Sequence, residues 1–222
     1  MNAGTTSVEN VGNSFSSGHF ANSCNMWVRI KNMRCYLRIV LVLALAGCSA
    51  GQEWQTRDVT GILPDLQFEL RNVKGETLTQ KDIAGHVVAL FFGYTSCPDI
   101  CPMTMSKLRS AIDDLPEGLR DEVRVLFVSV DPQRDTPDRL EAYARGFGSR
   151  FMGLTSDLDT LKHLTRRYHA TFSYAKPNEN GFYTVSHPAS VYVFDAKGNA
   201  RLLVRQADSV EALVHDLRQL IE

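Results

Sequence analysis

The chain has 222 residues, of which 44% are apolar, and its formal net charge is −1. The length suits one domain with an additional segment, and the apolar content is typical of a globular protein with a buried core. The balanced charge argues against nucleic acid as a partner, because phosphate binding requires a clustered basic excess.

The first 47 residues are predicted to be a leader with a signal peptide. Residues 1–25 are small and polar, and they contain too little apolar surface to order themselves. Two arginines then precede an apolar run at residues 39–46, which is shorter than the roughly 20 residues that span a bilayer. A basic region normally opens a signal peptide, so we expect the true start to be Met26 or Met33.

The leader ends in the sequence LAGC at residues 45–48, which resembles the lipobox of bacterial lipoproteins. This resemblance implies that Cys48 is diacylated and opens a membrane-anchored, periplasm-facing mature chain, with residues 48–63 as a tether. An N-terminal anchor helix or a chance apolar run is the alternative. Of the five cysteines, only Cys97 and Cys101 would then remain as thiols. In an oxidising compartment, such thiols tend to pair or to bind metal.

Residues 64–222 alternate strand and helix patterns, which predicts one α/β domain with a central mixed sheet flanked by helices. Before the C-terminal hairpin, the longer predicted strands lie at residues 66–70, 86–94 and 123–130. The second and third are nearly continuous apolar runs, typical of strands buried on both faces.

Four helices are predicted. The first follows the cysteines and ends at about residue 115, and the second begins at a Thr136 cap and ends at about 147. The third runs from a Ser156 cap to about 168, and the fourth from an Asp208 or Ser209 cap to 221. Turn residues at 176–181 separate two short strands, and residues 189–205 form a predicted hairpin before the last helix. A cysteine pair at a strand-to-helix turn, followed by a closing hairpin and helix, indicates a thioredoxin-like layout.

The segment FFGYTSCPDICPMTMSKL, residues 91–108, carries the candidate site. Pro98 disfavours helix at Cys97, and Pro102 suits a first helical turn, which places Cys101 at the start of the helix. Free backbone N–H groups at that end are expected to stabilise thiolates and to lower the pKa of both cysteines. A thiolate is a nucleophile and also a metal ligand, so this position suits either function.

The spacing of the two cysteines, C-P-D-I-C, is one residue longer than the C-x-x-C of thioredoxins. Side chains four residues apart on a turn have Cβ atoms about 5–6 Å apart, whereas a relaxed disulfide needs about 3.5–4.5 Å. A metal tolerates the wider separation, so the spacing favours a metal site, with a disulfide or two structural cysteines as alternatives.

Two thiolates are soft ligands that suit Cu(I) or Zn(II), and a histidine is the natural third ligand. The candidates outside the leader are His86, His163, His169, His187 and His215. In a thioredoxin-like layout, the loop that enters the strand after His187 packs against the cysteine turn, which favours His187 by position.

Three stretches, FFGYTSCPDICPMTMSKL, VSVDPQRDTPDRL and VSHPASVYVFDAKG, are similar to the signatures of the Sco/SenC family, and the likeness extends over residues 62–222. The resemblance implies a membrane-tethered, thioredoxin-like protein that binds one copper ion, Cu(I) and/or Cu(II), through Cys97, Cys101 and His187. It also implies delivery of copper to the CuA site of cytochrome c oxidase subunit II, or reduction of the thiols of that site, with other copper chaperones as further partners.

One position departs from the family pattern. Many members have Asp before the histidine, whereas this chain has Ser186, so a carboxylate that would orient the imidazole is missing locally. Asp131 and Asp135 follow the second buried strand and are candidates for supporting contacts, or else for capping the next turn. Met103 is a candidate accessory ligand, and Met105 is predicted to be core.

The leading hypothesis is therefore a copper metallochaperone whose open coordination position admits a partner's thiolate. A thiol-disulfide oxidoreductase that uses the same cysteine pair is the second hypothesis, although the longer spacing and the histidine argue against it. A copper or redox sensor is the third, and no feature of the sequence separates a sensor from a chaperone.

Overall fold

A computed structural model of the chain describes residues 53–222. The predicted signal peptide, Cys48 and the first part of the predicted tether lie outside the described residues. Among residues 53–222, no helix combines the length and the apolar character that crossing a bilayer requires.

The described residues form strands and helices in alternation. The strands are β1 Arg57–Asp58, β2 Glu69–Asn72, β3 Thr77–Thr79, β4 Val87–Gly93, β5 Val123–Ser129, β6 Phe151–Thr155, β7 Ser173–Tyr174, β8 Val185–Ser186, β9 Val191–Phe194 and β10 Ala200–Val204. The helices are α1 Ile100–Asp113, α2 Glu117–Arg120, α3 Pro137–Arg145, α4 Leu158–Arg167 and α5 Val210–Ile221, with a 3-10 turn at Gln80–Ile83.

Eight strands form one mixed sheet in the order β1-β10-β9-β4-β5-β6-β2-β3, and β7 pairs with β8 separately. Strands β4, β5 and β6 are parallel to one another, whereas β9 runs antiparallel to β4 with Val191 opposite Phe91. The beginning of β9 therefore lies beside the end of β4. This pairing brings together the loop after β4, which carries the cysteines, and the loop before β9.

Helices cover both faces of the sheet, which confirms the predicted α/β fold. Alternate residues of β4 point to opposite sides: Val87 and Phe91 pack with α1, α3 and α5, whereas Val88 and Phe92 pack with α4. Every residue of β4 is buried. A continuous apolar run is what a strand buried on both faces requires.

Most predicted boundaries differ from the structure by one or two residues, and two of the differences have a clear physical reason. Leu66 and Phe68 are buried, as their alternation indicates, but only Glu69–Asn72 enters the ladder as β2. Helix α4 is capped by Asp157 rather than Ser156, because the Asp157 carboxylate accepts hydrogen bonds from the N–H groups of Asp159 and Thr160. The alternation of apolar and polar residues indicates which side chains are buried, but it does not indicate which backbone groups pair with a neighbouring strand.

The residues that follow position 52 belong to the domain, although residues 48–63 read as a tether in the sequence. Strand β1 pairs with β10 at the edge of the sheet. The N–H groups of Gln55 and Thr56 and the Thr56 hydroxyl donate to the buried Asp216 carboxylate over 2.9, 2.8 and 2.7 Å. A buried carboxylate needs such donors, so Asp216 fixes the start of the domain to helix α5.

Candidate metal centre

The two cysteines occupy the turn between β4 and α1. Cys97 lies on the loop and is partly buried, whereas Cys101 lies in the first turn of α1 and is fully buried, and both are free thiols. The Cys101 N–H points at the Cys97 sulfur over 3.5 Å. The predicted local structure, with one cysteine on the loop and one at the helix start, is confirmed.

His187 lies on the loop between β8 and β9, and the antiparallel pairing of β9 with β4 carries it to the cysteines. Its Nε2 atom is 3.7 Å from the Cys97 Sγ and 3.5 Å from the Cys101 Sγ. The ligand atoms of Cys97, Cys101 and His187 all lie within 4.8 Å of one another. The structure thus brings together the three residues that the sequence predicts as ligands.

Among residues 53–222, no other set of three or more ligand-type side chains meets in this way. His86 precedes β4 at the opposite end of the sheet, and His163 is exposed on α4. His215 contacts Asp216 over 3.0 Å on α5. Of the five candidate histidines, His187 is the one that the fold delivers to the thiols.

The imidazole of His187 is held in the orientation that a metal ligand needs. Its Nδ1 lies 3.0 Å from the Pro188 carbonyl oxygen, and a carbonyl can only accept, so Nδ1 carries the proton. The lone pair of Nε2 therefore faces the two sulfurs. The backbone carbonyl of Pro188 takes the orienting role that a carboxylate at position 186 would otherwise fill.

Two aromatic side chains enclose the imidazole edge-on. The ring centroids of Phe91 and Tyr94 lie 6.0 and 5.6 Å from that of His187, at interplanar angles of 75° and 82°. Burial lowers the pKa of His187, because the imidazolium form loses its hydration. The ring is consequently neutral and ready to ligate at neutral pH. Both residues belong to the strand predicted at residues 86–94, and their place near its cysteine-bearing end is a signal for the site.

Gly93, the last residue of β4, is a further site residue that sequence reasoning missed. A Cβ atom there would lie 2.6 Å from the Cys101 Sγ and 2.7 Å from Cε2 of Phe127. Only a residue without a side chain lets the thiol lie directly on the strand. A glycine inside an apolar strand is a known sign of such a close approach, and that signal was present in the sequence.

The thiol of Cys101 does not behave as the sequence predicts. Burial raises its pKa well above the usual value, and the hydrogen bond from the Tyr94 backbone opposes this only in part. The expectation of a lowered pKa is therefore wrong for Cys101, because loss of hydration outweighs the effect of the helix end. A bound cation reverses this preference, since coordination deprotonates a thiol outright.

Asp135 supports the cysteine loop rather than the ligands themselves. Its carboxylate accepts hydrogen bonds from the Thr95 N–H at 2.9 Å, the Thr95 hydroxyl at 2.5 Å and the Ser129 hydroxyl at 2.5 Å. Thr95 lies two residues before Cys97, so this carboxylate ties the loop to the end of β5.

Asp131 supports the segment that carries His187. It accepts from Arg134 Nε and, at 2.8 Å, from the Tyr183 hydroxyl. The Arg134 guanidinium lies 3.7 Å from the centroid of the Tyr183 ring and donates to the Tyr183 carbonyl over 2.8 Å. Tyr183 shortly precedes β8 and His187, so Asp131 and Arg134 hold this segment against the end of β5.

The two methionines near the cysteines have different environments. Met105 is fully buried in the core between α1 and the sheet, as predicted. Met103 is 55% exposed on the first turn of α1, and its role as an accessory ligand stays a prediction.

The geometry of the cluster fits a metal ion. Zinc, which takes the same ligands, binds at about 2.3 Å to sulfur and about 2.0–2.1 Å to nitrogen, so trigonal or tetrahedral angles put the sulfur and nitrogen about 3.5–3.8 Å apart. The two sulfur–nitrogen distances of 3.7 and 3.5 Å are in that range. Two thiolates and one imidazole form a soft donor set, which favours Cu(I) or Zn(II) over hard cations.

Known sequences are similar to most of the described domain. A sequence model of the SCO1/SenC family matches residues 62–222. An SCO2-like protein of Rickettsia prowazekii is 33% identical over 132 residues, which cover 59% of this chain and 64% of that protein. The mitochondrial protein SCO2 of Saccharomyces cerevisiae is 35% identical over 134 residues, which cover 59% of this chain and 44% of that protein.

Solved structures show the same fold. ScoI of Bradyrhizobium japonicum with copper bound has a TM-score of 0.63 and 29% identity, covering 71% of this chain and 99% of that one. Apo Sco1 of Thermus thermophilus has a TM-score of 0.68 and 30% identity, covering 78% of this chain and 99% of that one.

Proposed function

The chain belongs to the SCO1/SenC family, and from this premise we propose that it is a copper metallochaperone that binds one copper ion through Cys97, Cys101 and His187. The observation that carries the proposal is the position of the His187 Nε2, 3.7 and 3.5 Å from the two sulfurs. The copper-bound ScoI structure, 29% identical to this chain, supports copper over zinc.

The arrangement suits transfer of copper by ligand exchange. Three ligands leave a coordination position open, and Cu(I) accepts a soft ligand there, although imidazole and thiolate also accept Cu(II). Cys97 is partly exposed, whereas Cys101 is fully buried beneath it. A partner's thiolate would therefore approach from the Cys97 side, with Cys101 and His187 as the last ligands to release the ion.

The proposed recipient is the CuA site of cytochrome c oxidase subunit II, and exchange with other copper chaperones is part of the same proposal. Its support is the resemblance of the cysteine and histidine motifs to those of the family. The alternative is that the cysteine pair reduces the thiols of the CuA site instead of delivering copper to them.

We also propose that Cys48 anchors the chain as a periplasm-facing lipoprotein. The domain begins by residue 53, and the hydrogen bonds of Gln55 and Thr56 to Asp216 fix that start. Residues 48–53 extend at most about 3.3–3.6 Å each, so the anchor would hold the domain within roughly 20 Å of the bilayer. This would keep the domain close to a recipient site in the same membrane.

A thiol-disulfide oxidoreductase would use the same pair, but the raised pKa of Cys101 argues against it. A buried neutral thiol is a poor nucleophile, so Cys97 alone would have to start the exchange. A copper or redox sensor would use the same three residues, and no observed contact favours that role.

Oxidase activity in cells tests the proposed function. In cells without another family member, we expect the full chain to restore cytochrome c oxidase activity and the Cys97→Ser variant to fail, because the copper site is incomplete. Excess copper in the medium should restore oxidase activity to cells with the variant, as expected if the chain delivers copper.

The control is Ser106→Ala, an exposed position on the same helix, which should behave as the unchanged chain. Restoration by an added thiol reductant, but not by copper, would assign the chain to thiol reduction. Normal activity of Cys97→Ser without added copper would refute the proposed site.

Copper affinity is expected to rise with pH. The raised pKa of Cys101 means that its thiol is protonated in the metal-free protein, so binding must release that proton. His187, with its lowered pKa, is already neutral and releases none. Each pH unit between about 6 and 8 should raise the affinity at least tenfold. Competition with a Cu(I) chelator, corrected for the chelator's own titration, measures this slope, and a flat profile would contradict it.

A further inference from the structure

The described chain begins at the end of the domain that lies opposite the metal centre. Strand β10 is antiparallel to β9, which is antiparallel to β4, so β10 ends on the side of the metal centre, as β4 does. Helix α5 follows β10 and packs along the sheet through Leu213 and Leu217, so its last turn lies at the opposite end. In that turn, Gln219 Nε2 donates to the Glu53 carbonyl over 3.4 Å. The chain therefore enters the domain at this opposite end, which we call the distal end.

Four basic side chains from three elements lie at the distal end. Lys81 precedes β4 and Lys197 lies in the turn between β9 and β10, and the two line the same cavity. Arg166 and Arg167 close α4, which follows β6 and therefore runs back to the distal end. Arg167 donates from Nη2 to the Asp65 carbonyl over 3.0 Å, and the next residue, 66, lines the cavity of the two lysines. We call these four side chains the distal basic surface.

The distal basic surface has an excess of positive charge. Within residues 53–222, none of its four cations forms an ion pair. Of the carboxylates beside it, Asp195 is paired with Arg201, and Asp65 and Asp82 offset two of the four charges. Basic residues suit the C-terminal turn of any helix, which accounts for the two arginines. It does not account for the lysines, which lie on other elements.

An anionic phospholipid bilayer is the partner that this surface fits. The anchor proposed at Cys48 is five residues before Glu53, a span of at most about 18 Å, so the distal end is the part of the domain that the anchor holds nearest the bilayer. Each Lys or Arg near an anionic membrane surface strengthens binding about fivefold. An excess of two charges is a weak attraction by itself, but an anchor makes the contact intramolecular and thereby effective.

We propose that the distal basic surface docks on anionic phospholipid headgroups, so that the metal centre faces away from the membrane that anchors the chain. The proposal rests on the lipid anchor of the proposed function. Strand β4 separates the two ends by seven residues, or about 20 Å. The docked domain would therefore exchange copper with a recipient site that stands about 20 Å or more above the bilayer.

Tryptophan fluorescence of the lipidated chain in vesicles tests the proposal. Trp54 is the only tryptophan after residue 47, and Trp54→Phe removes it while keeping an aromatic ring near Arg201. Into this background we would place one probe, either Ala196→Trp at the distal end or Phe182→Trp before β8, and both positions are exposed. The vesicles contain phosphatidylcholine with or without phosphatidylglycerol, and some headgroups carry a nitroxide quencher. With phosphatidylglycerol present, we expect strong quenching of the Ala196→Trp probe and little of the Phe182→Trp probe.

Removal of two cations tests the role of charge. Arg166→Gln with Lys197→Gln should weaken docking about 25-fold, or fivefold for each cation, and quenching of the Ala196→Trp probe should fall accordingly. The matched control is Arg71→Gln with Lys176→Gln, which removes two exposed cations near the other end of the domain. The control should keep its quenching, and both variants should keep their copper affinity.

Equal quenching of the two probes, or equal quenching in vesicles of phosphatidylcholine alone, would overturn the proposal. Unchanged quenching in Arg166→Gln with Lys197→Gln, together with a loss of oxidase activity in cells, would assign the surface to an acidic protein and also overturn it. Absence of lipid from Cys48, measured by mass spectrometry, would remove the anchor and this proposal but not the copper site. Failure to bind copper with the expected quenching would refute the copper site and support the docking surface.

Discussion

His187→Ala is expected to lower the affinity for Cu(I) by more than about 100-fold. Loss of a residue that only supports a metal ligand typically costs 10–100-fold, so loss of a ligand itself should exceed that range. In the unaltered chain, the His187 Nε2 lies 3.7 and 3.5 Å from the sulfurs of Cys97 and Cys101. In the variant, these two thiolates would hold the ion alone. Chelator competition measures the loss.

The matched control is His163→Ala, which removes an exposed histidine on α4 and should leave affinity unchanged. His187 is partly buried between Phe91 and Tyr94, so circular dichroism should first establish that the variant is folded. If the folded variant binds within threefold of the unaltered chain, the imidazole is not a ligand.

Gly93→Ala is expected to damage the site although position 93 carries no functional group. The new Cβ would lie 2.6 Å from the Cys101 sulfur and 2.7 Å from Phe127, distances that real Cβ atoms essentially never show. Such overpacking typically costs about 1–3 kcal/mol of stability. Because Cys101 and Phe127 are both fully buried, neither can shift without repacking, and a displaced sulfur would leave its position beside His187. We expect copper affinity to fall about 10–100-fold, the range for loss of ligand support.

Thermal unfolding measures the loss of stability, and competition with a Cu(I) chelator measures the loss of copper affinity. Gly118→Ala is the control, because a Cβ there meets no atom within 4 Å and its backbone is unstrained. That variant should match the unaltered chain in both measurements. Normal copper affinity in Gly93→Ala would show that the sulfur has a second position compatible with binding.

Local structure at the cysteines was predictable because it depends on neighbours in the chain. Pro98 and Pro102 restrict the backbone on either side of the turn, and the structure places Cys97 on the loop and Cys101 in the first helical turn. The Thr136 cap was equally predictable, since its side chain accepts from the nearby Arg139 N–H.

The buried strands were predictable from composition alone. A short run without polar residues is typical of a strand covered on both sides, and every residue of β4 is buried. The edges of elements were less predictable. The first residues of β2 and α4 depend on which backbone groups form hydrogen bonds, and several neighbouring residues can compete for the same partner.

The sequence by itself determined the α/β fold class and the parts whose physics is short in range: the cysteine turn, the Thr136 cap and the soft character of the donors. The tertiary structure alone decided what depends on distant segments. Cys97 and His187 are 90 positions apart in the chain, and the pairing of β9 with β4 brings them together. The raised pKa of Cys101 reflects how thoroughly other elements exclude water, which outweighs the adjacent helix end. The need for Gly93 likewise arises from packing between layers, because such contacts join residues that no spacing in the chain relates.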